Sequence, residues 1–154
     1  MKAHLSQAAR RRLSVDAWEA LFRAQVAVIR KLQPDPIFKR VSMREYDVLY
    51  TLSKCPVDWL RLNELSKNVL LTQPSMSRLV ERLEARGLIE RRSADDDRRG
   101  LLLRLTDAGR ELQRDVGREH AKDINALVGS ALDEADMAEL IRISRKLEAA
   151  VETS

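Results

Sequence analysis

Apolar residues recur along much of this chain at gaps of three and four, the spacing that lays one stripe along a helix. Residues 15–32 show it first, with Val15, Trp18, Leu21, Phe22, Val26, Ile29 and Leu32. Ser14 stands ahead of them as an N-cap type. Gln33-Pro34-Asp35-Pro36 ends the segment, because residues before proline avoid the helical region. Ser42-Met43-Arg44-Glu45 matches the capping-box pattern and predicts a short helix with Tyr46, Leu49, Tyr50 and Leu52 on or near its inner side, closed by Cys55-Pro56. Leu60-Arg61-Leu62 suits a brief strand, and Asn63 is placed to cap another short helix that buries Leu65 and Val69. Thr72 opens the next helix, with Pro74 in its first turn, where a missing N–H does no harm. Its apolar positions are Met76, Leu79, Val80 and Leu83, and Gly87 suits the left-handed residue that follows a helix end.

The period then changes. Leu88–Arg92 and Leu101–Leu105 predict two paired strands joined by the polar stretch 93–100. Thr106 is the cap type for a long helix carrying Leu112, Val116, Ile124 and Leu127. A turn follows near Gly129-Ser130 or Asp133, and Met137, Leu140, Ser144, Leu147 and Val151 form a near-heptad seam on a last helix. The expected fold is mainly α with a small β-hairpin wing: a winged helix-turn-helix flanked by N- and C-terminal dimerisation helices. The expected division is an arm and dimerisation helix over 1–40, a DNA-binding winged helix-turn-helix over 41–106, and dimerisation helices over 107–154.

Composition supports a helix-rich protein, since 154 residues hold only five Gly and four Pro. No apolar run approaches the roughly 20 residues of a membrane helix, and residues 1–13 lack the apolar stretch of a secretory signal. The lone Cys55 has no internal disulfide partner. A cytoplasmic protein is expected. The net charge of +4 is uneven. From Thr106 onward 7 Lys and Arg face 11 Asp and Glu, whereas residues 1–105 hold 21 basic against 13 acidic side chains. One part is suited to a polyanion and the other is not. There is no nucleophile–base arrangement and no Gly-rich phosphate loop, so an enzyme is not expected. His4, His120 and Cys55 lack metal-ligand spacing, and neither metal nor cofactor is expected.

The helix after Thr72 carries the functional signal. With Met76, Leu79, Val80 and Leu83 turned to a core, the other side presents Gln73, Ser75, Ser77, Arg78 and Arg82. Gln bonds adenine bidentately, Arg bonds guanine O6 and N7, and Ser bonds base edges or phosphate. In the hairpin, Arg98 and Arg99 suit a narrow, electronegative minor groove, with Asp97 able to orient one of them. Two other readings stand beside double-stranded DNA binding. The Asp95-Asp96-Asp97 run suits a winged-helix module that binds proteins, and Cys55 suits a redox sensor.

Residues Leu71–Ile89 resemble the recognition helix of the multiple-antibiotic-resistance regulator (MarR) family, and Asp97–Gly109 resemble that family's wing and the start of its dimer helix. The resemblance covers roughly residues 14–151. It implies a homodimer, built from the first and last two helices, that grips a pseudo-palindromic operator as a transcriptional regulator, commonly a repressor. It implies operator contacts from Ser75, Ser77 and Arg78, a minor-groove arginine at Arg99, and an aspartate at Asp97 that holds it. It further implies a small aromatic or phenolic effector. Trp18, Phe22, Tyr46 and Tyr50 either line a pocket for it, with Arg44 meeting a carboxylate, or are ordinary core aromatics.

Overall fold

The computed structural model describes residues 5–69, 71–94 and 97–152, without the side chains of residues 73 and 97–99. The chain divides into two compact units, Pro36–Lys122 on one side and Met1–Asp35 with Asp123–Ser154 on the other.

The unit Pro36–Lys122 opens with a single 3₁₀ turn at Pro36–Lys39 and continues through α2 (Met43–Lys54), β1 (Leu60–Arg61), α3 (Leu62–Asn68) and α4 (Gln73–Ala85). Then come β2 (Ile89–Ala94), β3 (Asp97–Leu105) and the first part of α5 (Asp107–Ala131). The sheet is antiparallel in the order β1-β3-β2. A core closes around Val48, Leu49, Leu65, Met76, Leu83, Leu103 and Val116, all sealed from solvent. This is the expected winged-helix fold, mainly α with a small β wing.

Several local expectations hold for the reasons the sequence suggested. Ser42 caps α2 by accepting from the Glu45 N–H at 3.2 Å, while Glu45 accepts from the Ser42 N–H at 2.9 Å. Thr72 caps α4, with Pro74 in the first turn. Gly87 has φ +69° and ends α4 with two bonds, Gly87 N–H to Glu84 O at 2.8 Å and Leu88 N–H to Leu83 O at 3.0 Å. That pairing needs a residue free to turn left-handed. Thr106 caps α5 through Gly109 N–H at 3.0 Å and donates to Gly87 O at 2.6 Å, tying α5 to the end of α4. Gly109 permits this approach, since a Cβ there would lie 1.9 Å from Leu88 O.

Four details differ from the sequence reading. The first helix, α1, spans Gln7–Leu32 and is capped by Ser6, so Ser14 sits mid-helix and donates back to Arg10 O at 3.0 Å. The added residues, including Ala8, Ala9 and three arginines, are good helix formers that need no apolar stripe. Asn63 lies inside α3 and accepts from the Glu64 N–H at 2.9 Å; the cap position is Arg61, with no side-chain bond. The strands run further than their apolar residues, pairing Ser93 with Leu101 and Ala94 with Asp97, because ladder bonds are made by backbone alone. Finally, α5 continues through Gly129-Ser130 to Ala131, and Asp133 makes the turn by accepting from the Asp136 N–H at 2.8 Å.

The second unit consists of α1, the end of α5 and α6 (Glu134–Glu152). Among its described residues only Leu32 is a buried hydrophobic. Trp18, Phe22, Leu140, Ile141, Ile143 and Leu147 are all substantially exposed. No helix among the described residues is long and apolar enough to cross a membrane.

Candidate nucleic-acid interface and effector cleft

Helix α4 is two-sided. Met76, Leu79, Val80 and Leu83 are 2% exposed or less, whereas Ser75, Ser77, Arg78 and Arg82 face solvent. The apolar side fixes the helix to the core, and the polar side is left accessible. Ser75 also belongs to the cap: its N–H bonds Thr72 Oγ1 at 3.4 Å and its hydroxyl accepts from Thr72 at 3.0 Å. Arg78 is exposed. Gln73 occupies the first helical position, but its side chain lies outside what is described. The same holds for the side chains of Asp97, Arg98 and Arg99, whose backbone lies in β3, and Asp95 and Asp96 lie outside the described residues altogether.

Arg82 is not simply a free cation. Its Nε stands 3.4 Å from Glu45 Oε1, and Arg86 Nη1 stands 3.6 Å from Glu45 Oε2. Arg86 also donates to Arg40 O at 2.6 Å. Glu45, 8% exposed, thus joins the capped start of α2 to the last turns of α4. Burial pushes its carboxyl up, but the Ser42 N–H and hydroxyl, Arg82 and Arg86 together outweigh this and hold it below its ordinary value of 4.5. The S-x-x-E pattern announced the cap; nothing local announced that the same carboxylate would receive two arginines from about 40 residues downstream.

The candidate effector residues separate. Tyr46 and Tyr50 lie together, ring centroids 6.1 Å apart, beside an open cleft of about 430 Å³. The rest of the lining comes from α5, chiefly Gln113, Arg114, Gly117 and Arg118. Burial raises the Tyr46 phenol above 10.0, opposed by a hydrogen bond with Gln113 and reinforced by Tyr50 and Asp47, so it stays protonated near neutral pH. Phe38 and His120 pack edge-on at the same ring, 6.2 and 5.5 Å from it. Arg44 is exposed and does not line the cleft. Trp18 and Phe22 stack on each other at 6.0 Å and belong to the other unit. The α5 residues went unremarked in the sequence, although Gln113, Gly117 and Ala121 recur every four positions on one helix side. Cys55 is half-buried at the C-cap of α2.

A model of the MarR family matches residues 41–100, the segment that carries α2 to the wing. Those residues are similar to a MarR-family domain. Transcriptional repressor MprA of Escherichia coli (strain K12) is 36% identical over 99 residues, 64% of this chain. The chain spans only 56% of that repressor's length. Among solved structures, the MarR family regulator Sco3205 of Streptomyces coelicolor, in complex with DNA, superposes with a TM-score of 0.73 at 24% identity, covering 97% of this chain and 91% of that one. Bordetella bronchiseptica BpsR, studied for regulation of its DNA binding by 6-hydroxynicotinic acid, superposes at 0.68 with 23% identity, covering 88% of this chain and 98% of BpsR. At these identities the two likenesses establish the MarR fold over nearly the whole chain.

Proposed function

We propose that this protein is a sequence-specific, DNA-binding transcriptional regulator that represses as a homodimer and releases DNA on binding a small aromatic effector. The observation that carries the reading is the two-sidedness of α4, whose four apolar residues are sealed while Ser75, Ser77 and Arg78 stay accessible. A helix anchored in this way presents its first turns to the major groove. Gln73, Ser75, Ser77 and Arg78 are assigned to base edges and phosphates, and Arg82 to a flanking contact steadied by Glu45. Arg98 and Arg99 are assigned to the minor groove, with Asp97 orienting Arg99. The DNA complex of Sco3205 and the MprA repressor support this assignment.

The exposed apolar faces of α1 and α6 are assigned to a second copy of the chain, since two-fold pairing is the usual way such faces are covered. The cleft at Tyr46 and Tyr50 is assigned to the effector. Its aromatic wall suits a ring, and Arg114 and Arg118 suit an acidic or phenolic substituent. On this reading the protein works by binding and not by catalysis, in the cytoplasm beside the DNA.

Selection of bound fragments from a random duplex pool tests the proposal. The expected result is enrichment of a pseudo-palindrome whose half-sites lie one helical turn apart, roughly 34–36 Å, with enrichment lost in Arg78→Ala. Recovery of unselected sequence alone, by parent and variant alike, would overturn it.

A further inference from the structure

The wing sheet has an outer face that the assignments above leave unused. Register puts Glu90 opposite Arg104, and places Arg92 and Arg61 on either side of Leu102. The opposite face holds the buried Ile89, Leu103 and Leu105. Three arginines and one glutamate therefore share the outer side, and Trp59 lies over it. The Trp59 ring centroid is 4.3 Å from the Arg92 guanidinium carbon and 4.6 Å from that of Arg104.

The arginines of this sheet are held in different ways. Arg91 points to the inner side, with its Nε 2.8 Å from Glu84 Oε2 of α4. Arg104 has its Nε 2.6 Å from Glu90 Oε2. Both give donors and charge to a carboxylate. Arg92, exposed, is held by an indole face. A guanidinium over a ring face is not neutralised by it, so the charge of Arg92 stays available to an anion. No carboxylate among the described residues pairs with it.

Arg92 is also fixed with respect to α4. Its neighbour Arg91 ties β2 to that helix through Glu84 on the inner side, so the strand that carries Arg92 is anchored to α4. We infer that the outer face of the wing sheet, at Arg92 on its Trp59 platform, is a second phosphodiester-binding surface that grips the DNA backbone beside the segment α4 reads. Charge complementarity selects the occupant. The inference rests on the proposed DNA binding and extends it to a surface where that reading placed nothing.

The test uses the full-length protein and a labelled random-sequence duplex, with affinity measured across a salt series. Each neutralised phosphate adds about 0.9 to the slope of log affinity against log salt. Arg92→Ala is expected to lower the slope by about 0.9 per bound chain. Arg92→Lys is expected to keep it, and Arg91→Ala to leave it unchanged. Tryptophan emission should change on DNA addition in the parent, and that change should be lost in Trp59→Phe. A parent slope retained in Arg92→Ala, together with emission indifferent to DNA, overturns the inference and leaves this face to a partner other than nucleic acid. A parent that does not bind the duplex at all overturns the inference and the regulator proposal together.

Discussion

The two units of this chain bury hydrophobic side chains to very different degrees. Every buried hydrophobic among the described residues except Leu32 lies between Val41 and Val116, inside the unit Pro36–Lys122. Of the fifteen large hydrophobics exposed among the described residues, only Tyr50 and Val57 belong to that unit; of the other thirteen, Leu5 precedes α1 and twelve stand on α1, the end of α5 and α6. A winged helix of this size satisfies its own packing. The terminal helices, as a single chain, do not. Apolar burial stabilises by about 25 cal/mol per Å², so Trp18 and Phe22 on α1 and Ile141 and Leu147 on α6, left in water, forgo much of what burial would supply. The contrast teaches that one part of the chain completes its own core while the other is left with uncovered apolar surface, which fits the proposed division between reading DNA and pairing with a second copy.

The largest effect is expected in the self-sufficient unit. Leu83→Ala removes a fully buried side chain of α4 and is expected to cost about 2–5 kcal/mol in denaturant unfolding. Breaking the other unit should act on association. Phe22→Asp combined with Leu147→Asp places charge on both exposed faces and is expected to yield monomer by sedimentation, with the fold of Pro36–Lys122 retained in NMR spectra. If the double variant unfolds that unit as well, the separation drawn here fails.

Smaller effects sharpen the picture within the winged helix. Ser42→Ala removes the α2 cap and is expected to cost about 1 kcal/mol. Glu45 titrates below its ordinary value in the folded chain, so its contribution is present above the unfolded carboxylate range and is lost as pH falls through the folded value. Glu45→Gln should therefore flatten the acid limb of the stability profile, and an unaltered acid limb would remove Glu45 from the account. Val57→Ala, at an exposed site of the same unit, should change stability by less than about 0.5 kcal/mol.

How far the chain could be read from its residues follows from how local each signal is. Helix α4 was legible almost to the residue, because Thr72, Pro74, the Met76-to-Leu83 stripe and Gly87 each act within a turn or two of their own position. The start of α1 was not, because Ser6 and Ser14 are equal as cap types and the residues between them carry no stripe. The wing's length was hidden by polar strand residues such as Ser93, which pair through backbone alone. The cleft was half legible: Tyr46 and Tyr50 announce an aromatic wall, but its other wall sits on α5, more than 60 residues later. The stacking of Arg92 on Trp59 and the meeting of Glu45 with Arg82 are tertiary events that no spacing rule reaches.

The most direct test of the account is the mass of the full chain in solution, by sedimentation equilibrium without DNA. The account predicts twice the 17.6 kDa of one chain at micromolar concentration, because the proposed function assigns the exposed faces of α1 and α6 to a second copy. A protein that stays folded at 17.6 kDa under those conditions would contradict it.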